Sequence, residues 1–139
     1  MSRTPIAVLF VCWTGMSAYA ASPVERGFLE AHNRLRAGVH VPPLTWSDKL
    51  ADAADHWART LLAENAFRHS RGLPYGENLF DVTGAAASPD LVVADWASEV
   101  RDYNYRTNQC RDVCGHYTQI VWRGTQRVGC AVARNRSRE

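Results

Sequence analysis

Gly115-His116-Tyr117-Thr118-Gln119-Ile120-Val121-Trp122 is the stretch whose reading decides the fold. It sets a titratable, metal-capable imidazole beside two hydrogen-bonding side chains and a large aromatic of the kind that fills cores. Eight residues of these types in this order are not expected by chance. The alternation over residues 116–122 suits a strand.

Upstream, the helix signals are plain. Ser22-Pro23 reads as an N-cap and a first-turn proline. Val24, Phe28, Ala31 and Leu35 recur at helical spacing, which predicts a helix over residues 23–37. Pro42-Pro43 breaks the chain. Ser47 caps a second helix that runs to about Asn65, with Leu50, Ala54, Trp57 and Leu61 on one face. Gly72, Pro74 and Gly76 mark a loop. Glu77 to Val82 reads as a short strand, and Gly84 to Ser88 as another loop. Ser88-Pro89-Asp90 opens a third helix, in which Val92, Trp96 and Val100 share a face. Tyr103 to Arg111 is a polar loop. Downstream, Gln126 to Ala133 alternates, with Val128, Cys130 and Val132 on one side, as a half-buried strand does. The sequence contains no internal repeat or low-complexity tract.

The chain has 139 residues and a formal net charge of +2. Residues 1–20 read as an export signal. Arg3 is the basic start, Ile6 to Trp13 the apolar run, and Ala18-Tyr19-Ala20 the cleavage site. That run is too short to span a bilayer, and no later segment is long enough. Cleavage leaves residues 21–139 as one domain with a modest core. It removes Arg3 and no acid, so the mature chain is nearly neutral. Nothing there favours nucleic acid or anionic lipid as a partner. Arg134, Arg136 and Arg138 read as a solvated end. Export also implies an oxidising compartment, outside the cell or in a periplasm, where Cys110, Cys114 and Cys130 are disulfide candidates. Three is odd, so one thiol is left over or its partner is absent. A zinc-thiolate site is a poor reading, because C-x3-C lacks a second matched pair.

Several ordered blocks now carry a resemblance. They are His32-Asn33-x-x-Arg36, Pro43-Leu44-x-Trp46, His69-Ser70, Gly76-Glu77-Asn78-Leu79, Trp96-x-x-Glu99, Asp102-Tyr103, Asn108-Gln109-Cys110 and Cys114-Gly115-His116. Together with the opening stretch they resemble the CAP superfamily: cysteine-rich secretory proteins, antigen 5 and pathogenesis-related class 1 proteins. The resemblance covers about Phe28 to Ala133. It implies an α+β fold, an α-β-α sandwich with a small antiparallel sheet between helices. It also implies a short helix beginning near His116, and we follow it there over the strand reading. Members usually continue into a final strand with a second signature, so the resemblance implies that this domain lacks its last strand. It favours a Cys110–Cys114 disulfide and leaves Cys130 free and buried.

In this superfamily two histidines and two glutamates line a central cleft. Carried over by motif, these are His69, Glu77, Glu99 and His116. Imidazoles suit zinc or another divalent cation, and a carboxylate can orient an imidazole or hold a bound water. Without the resemblance each histidine reads as an ordinary loop or surface residue. Other residues take structural readings. His32 and Arg36 are hydrogen-bonding partners within the first helix. Trp46, Trp57, Trp96 and Trp122 are core. His40 and His56 have no supporting context. Asn135-Arg136-Ser137 matches the glycosylation pattern by chance. Ser70 and Thr118 have no nucleophile constellation around them.

Three functional expectations follow. The first is a secreted, monomeric binding module for defence or host–microbe contexts, with a cation in the cleft and a sterol or lipid in an apolar groove. The second is a metal-assisted hydrolase or peptidase. There zinc on His69 and His116 activates water and Glu77 or Glu99 is the general base. Two protein ligands are fewer than the three usual for catalytic zinc. The third is an inactive, truncated remnant.

Overall fold

The computed structural model describes residues 21–135. The export signal with Cys12, and residues 136–139 of the basic tail and glycosylation pattern, lie outside the described residues.

The chain enters helix α1, Pro23–Gly38, through a capping box. Glu25 N donates to Ser22 Oγ at 3.2 Å, and Ser22 N donates to Glu25 Oε2 at 2.5 Å. Two of the helix's orphan amide donors are thereby satisfied. The buried face holds Phe28, Ala31, His32 and Arg36. Val24, expected on that face, is largely exposed. Asn33 then pins the bend after Pro42-Pro43, exchanging two hydrogen bonds with the Leu44 backbone. Strand β1, Thr45–Trp46, leads into helix α2, Asp48–Glu64, capped by Ser47. Asn65 ends α2 in the left-handed conformation, which Asn tolerates better than most residues. Ser88 caps helix α3, Pro89–Ser98, which tightens into a 3-10 turn over Glu99–Asp102. Helix α4, Gly115–Ile120, follows directly on Cys114. Residues 115–120 are therefore helical, as the resemblance implied, and not a strand.

Three local expectations fail for identifiable reasons. Residues 103–111 are not simple loop: β2, Tyr103–Asn104, pairs antiparallel with β3, Gln109–Cys110. The turn is built by Asn104, whose Oδ1 accepts from Arg106 N and Thr107 N, and by Asn108 at positive φ. Both Asn roles are invisible to an apolar period. Glu77 to Val82 forms no strand, and Trp96 Nε1 takes one of its carbonyls, donating to Leu79 O at 3.0 Å. Of residues 126–133 only Arg127–Val128 pairs, as β4, and it runs parallel to β1. Among the described residues the α+β fold thus carries its strands as small two-residue ladders, one parallel and one antiparallel. Thr45 N and Ser47 N donate to Gln126 O and Val128 O and extend the β1–β4 register at both ends.

Phe28, Ala31, Val92, Val93, Trp96 and Ile120 form the core, where α1, α3 and α4 meet. Each large apolar side chain there contributes about 1.5–3 kcal/mol on burial. Trp96 is core as expected, whereas Trp122 is 62% exposed. Trp122 lies beyond the last turn of α4, where its carbonyl is used and its ring is not. Arg36 is fully buried and makes no bond to His32. It donates instead to the carbonyls of Pro42, Ile120, Trp122 and Thr125, at 2.7, 2.7, 3.0 and 3.0 Å. Burial pulls its guanidinium below the ordinary value, yet arginine stays charged. The positive fork thereby satisfies carbonyls left open at the C-terminal end of α4.

Helix α2 is different. Leu61 is its one buried residue. Its apolar face borders a cavity of about 440 Å³, walled by Leu50, Ala54, Trp57 and Leu61 on one side and by Val128, Cys130 and Val132 on the other. Cys130 is unpaired and only partly exposed, and desolvation pushes its thiol up to about 12. Among the described residues, no helix is long and apolar enough to cross a membrane.

Candidate functional site

The four residues carried over by motif lie as two histidine–glutamate pairs. Glu99 sits where α3 gives way to the 3-10 turn. His116 sits in the first turn of α4, held in place by the Cys110–Cys114 disulfide just before it. His116 Nδ1 lies 2.6 Å from Glu99 Oε1. Glu99 Oε2 accepts from His116 N at 2.8 Å and from Tyr117 N at 3.2 Å. A carboxylate on open amides at the start of a helix is favoured by the helix dipole as well as by the bonds. The second pair lies on loops. His69 Nδ1 is 2.7 Å from Glu77 Oε1, which also accepts from Ser70 N at 3.0 Å.

Because a carboxylate oxygen only accepts, Nδ1 carries the proton in both imidazoles when they are neutral. Their Nε2 atoms are left for a ligand. This is the carboxylate–histidine arrangement often found behind zinc. It supplies two ligand atoms at most. Among the described residues no three His, Cys, Asp or Glu side chains come together to hold a metal ion. The cleft therefore does not fit a zinc ion held by protein groups alone. Glu99 has both oxygens engaged and Glu77 has one, so each carboxylate already orients its histidine.

Three further residues complete the site. Asn78 Nδ2 donates to His116 O at 3.1 Å and ties the Glu77 loop to α4. Trp96 stacks on His116 with centroids 6.1 Å apart, while His32 meets Trp96 edge-on at 6.2 Å. Gln119 packs so closely on Gly76 that a Cβ there would lie 2.1 Å from its Oε1. Asn78 and Trp96 stood in the quoted blocks, but sequence gave no sign of these contacts. Gln119 follows His116 by three residues, which places both on one side of a helix.

The cavity meets the cleft at Glu77. Its rim carries Phe67, Leu73 and Tyr75, all substantially exposed. His32, Val92, Trp96 and Ile120 also line it. The two histidines of the cleft do not.

The sequence model of the cysteine-rich secretory protein family matches residues 29–139. Pathogenesis-related protein 1 of Arabidopsis thaliana is 43% identical over 118 residues, covering 82% of this chain and 70% of that protein. Pathogenesis-related protein 1A of Nicotiana tabacum is 44% identical over 109 residues, covering 77% of this chain and 64% of its own length. The match thus spans about two thirds of these relatives. Among solved structures, venom allergen-like protein 4 of Schistosoma mansoni superposes with a TM-score of 0.63 at 21% identity, covering 85% and 84% of the two chains, a likeness of fold. On these matches, and on the blocks that first suggested it, the chain belongs to the cysteine-rich secretory protein family, the CAP superfamily.

Proposed function

We propose that this chain is a secreted binding module of the pathogenesis-related class, holding an apolar ligand of the lipid or sterol kind in the cavity beneath the histidine–glutamate cleft. The carrying observation is the cavity itself: about 440 Å³, walled mainly by apolar side chains, with apolar residues at its rim. Its size lies within the usual range for small-molecule sites, about 300–1,000 Å³. The signal-like residues 1–20 and the family of secretory proteins support export. The names of the plant relatives support a defence context. A hydrolytic role has weaker support, because both oxygens of Glu99 and one of Glu77 already hold a histidine and neighbouring amides. A divalent cation is the lesser part of this reading. It would take two ligands from His69 and His116 and the rest from water or the bound molecule.

The test is a titration of mature protein with an environment-sensitive apolar fluorophore. Saturable binding is expected. It should weaken at least about tenfold in Ala54→Phe, whose ring occupies the cavity. Repeating the titration with zinc tests the cation, which predicts a zinc-dependent change that His116→Ala removes. Absence of saturable binding to folded protein sinks the apolar-ligand reading, and indifference to zinc removes the cation from it.

A further inference from the structure

The loop between α2 and Glu77 leaves a group of apolar side chains in solvent. Phe67, Leu73 and Tyr75 are 57%, 49% and 42% exposed, and Pro74 is exposed beside them. Exposed apolar residues scattered singly are ordinary, but a group on one loop marks an interaction surface. The loop is fastened at both ends. At its start Trp57 Nε1 donates to Arg68 O at 3.3 Å, and the Arg68 guanidinium lies over the Trp57 ring while bonding Glu64. At its end Gly76 lies against Gln119, and Glu77 Oε1 is held by His69 and Ser70 N. Between these anchors Arg71 to Gly76 are all exposed.

Charge says what covers this surface. Residues 66–76 contain two arginines and no acid. The acids that flank them in sequence, Glu64 and Glu77, are taken by Arg68 and His69. Arg71 is exposed and, among the described residues, has no ion-pair or hydrogen-bond partner. Aliphatic and aromatic side chains beside a free cation are the chemistry of a bilayer interface, where rings sit at headgroup depth and arginine meets phosphate. The near-neutral charge of the whole chain hides this, because the cation is local. Phe67, Leu73, Pro74 and Tyr75 also line the cavity, so a bilayer on the loop would meet the cavity's rim.

We propose that the 67–75 loop docks on a phospholipid bilayer carrying anionic headgroups, with Phe67, Leu73 and Tyr75 entering the interface and Arg71 against phosphate. The proposal rests on the apolar-ligand reading above for its purpose, which is to pass a water-insoluble molecule between bilayer and cavity.

The experiment is flotation of the mature protein with vesicles of phosphatidylcholine and phosphatidylglycerol. Saturable binding is expected, weaker on phosphatidylcholine alone and weakened by added salt. Arg71→Ser should weaken it about fivefold, the scale of one basic side chain at such a surface. Arg71 does not line the cavity, so this variant should bind the soluble fluorophore as the unmutated protein does. Leu73→Asp should weaken flotation at least about tenfold. Hydrogen exchange on the unmutated protein covers the case in which that variant fails to fold: amides at 67–75 should slow on vesicles. No flotation, flotation indifferent to Arg71→Ser, or unchanged exchange at 67–75 overturns the docking and leaves the fluorophore result standing. Self-association that slows the same amides without vesicles makes a second copy the occupant and overturns it too. Flotation by folded protein that binds no fluorophore keeps the docking and sinks the cavity reading.

Discussion

The two histidine–glutamate pairs look alike in sequence and differ in construction. Glu99 and His116 side chains are 15% and 30% exposed, whereas Glu77 and His69 are 23% and 63% exposed. Glu99 is ringed by three donors spread over both oxygens. Glu77 serves two donors with one oxygen. The first pair is fixed by a helix start, a disulfide and a stacked Trp96; the second by a loop that Asn78 staples to α4. The first pair is a firmly held scaffold and the second a more exposed wall, of which Glu77 lines the cavity. That division suits a binder whose ligand enters from the loop side.

The strongest way to break the fixed half is to remove what holds α4 from its other end. Arg36→Met keeps the aliphatic stem and deletes the fork. The carbonyls of Pro42, Ile120 and Thr125 then lose their donor, while Trp122 O keeps Thr125 N, at about 1–3 kcal/mol for each orphan where no water reaches it. Relaxation will recover part of this, so the expected loss is on the order of 4 kcal/mol in urea denaturation. A loss below about 1 kcal/mol would mean that α4 is held by packing alone. The next test sets the pairs against each other. In Glu99→Gln every partner is a donor, so the new amide must turn its own N–H groups toward one of them. In Glu77→Gln the carbonyl oxygen can take both donors and the amide can face solvent. We expect a loss of about 2 kcal/mol for the first and under about 1 kcal/mol for the second, read from denaturation midpoints. Equal losses would erase the distinction between scaffold and wall.

Legibility in the sequence did not follow that division. Glu99 and His116 and the helix at 115–120 were readable only through the resemblance, since the alternation over residues 116–122 by itself pointed to a strand. Ser22, Ser47 and Ser88 announced α1, α2 and α3 because capping is local chemistry. The Asn104 turn and the β2–β3 hairpin were not readable, since two-residue strands carry no period. Trp122 was misread because aromatic identity says nothing about which side of a helix end faces water. The cavity was the least legible feature. Its walls come from α1, α2, the Glu77 loop, α3, α4 and β4, and no short window contains them. His32 illustrates the limit: read as a partner of Arg36, it bonds Phe28 and borders the cavity.

His32 also gives the smallest and most specific of these effects, because its titration changes one buried group and breaks no scaffold. Its folded-state pKa lies below the ordinary value of 6.5, chiefly because burial desolvates the ring. The unfolded chain therefore takes up this proton first. The neutral ring contributes its stability fully above pH 6.5, loses it as pH falls toward the folded-state value, and the loss levels off below that. Asp102 is also shifted downward from the ordinary carboxylate value of 3.8, chiefly by its hydrogen bond from Arg111. Its loss falls in a more acidic window and can be told apart. Melting temperatures of wild type and His32→Phe, compared stepwise from pH 8 to pH 5, should converge as the pH drops. Parallel curves would show that protonation of His32 is not what acid acts on. The ring would then be less desolvated than its place in the wall requires.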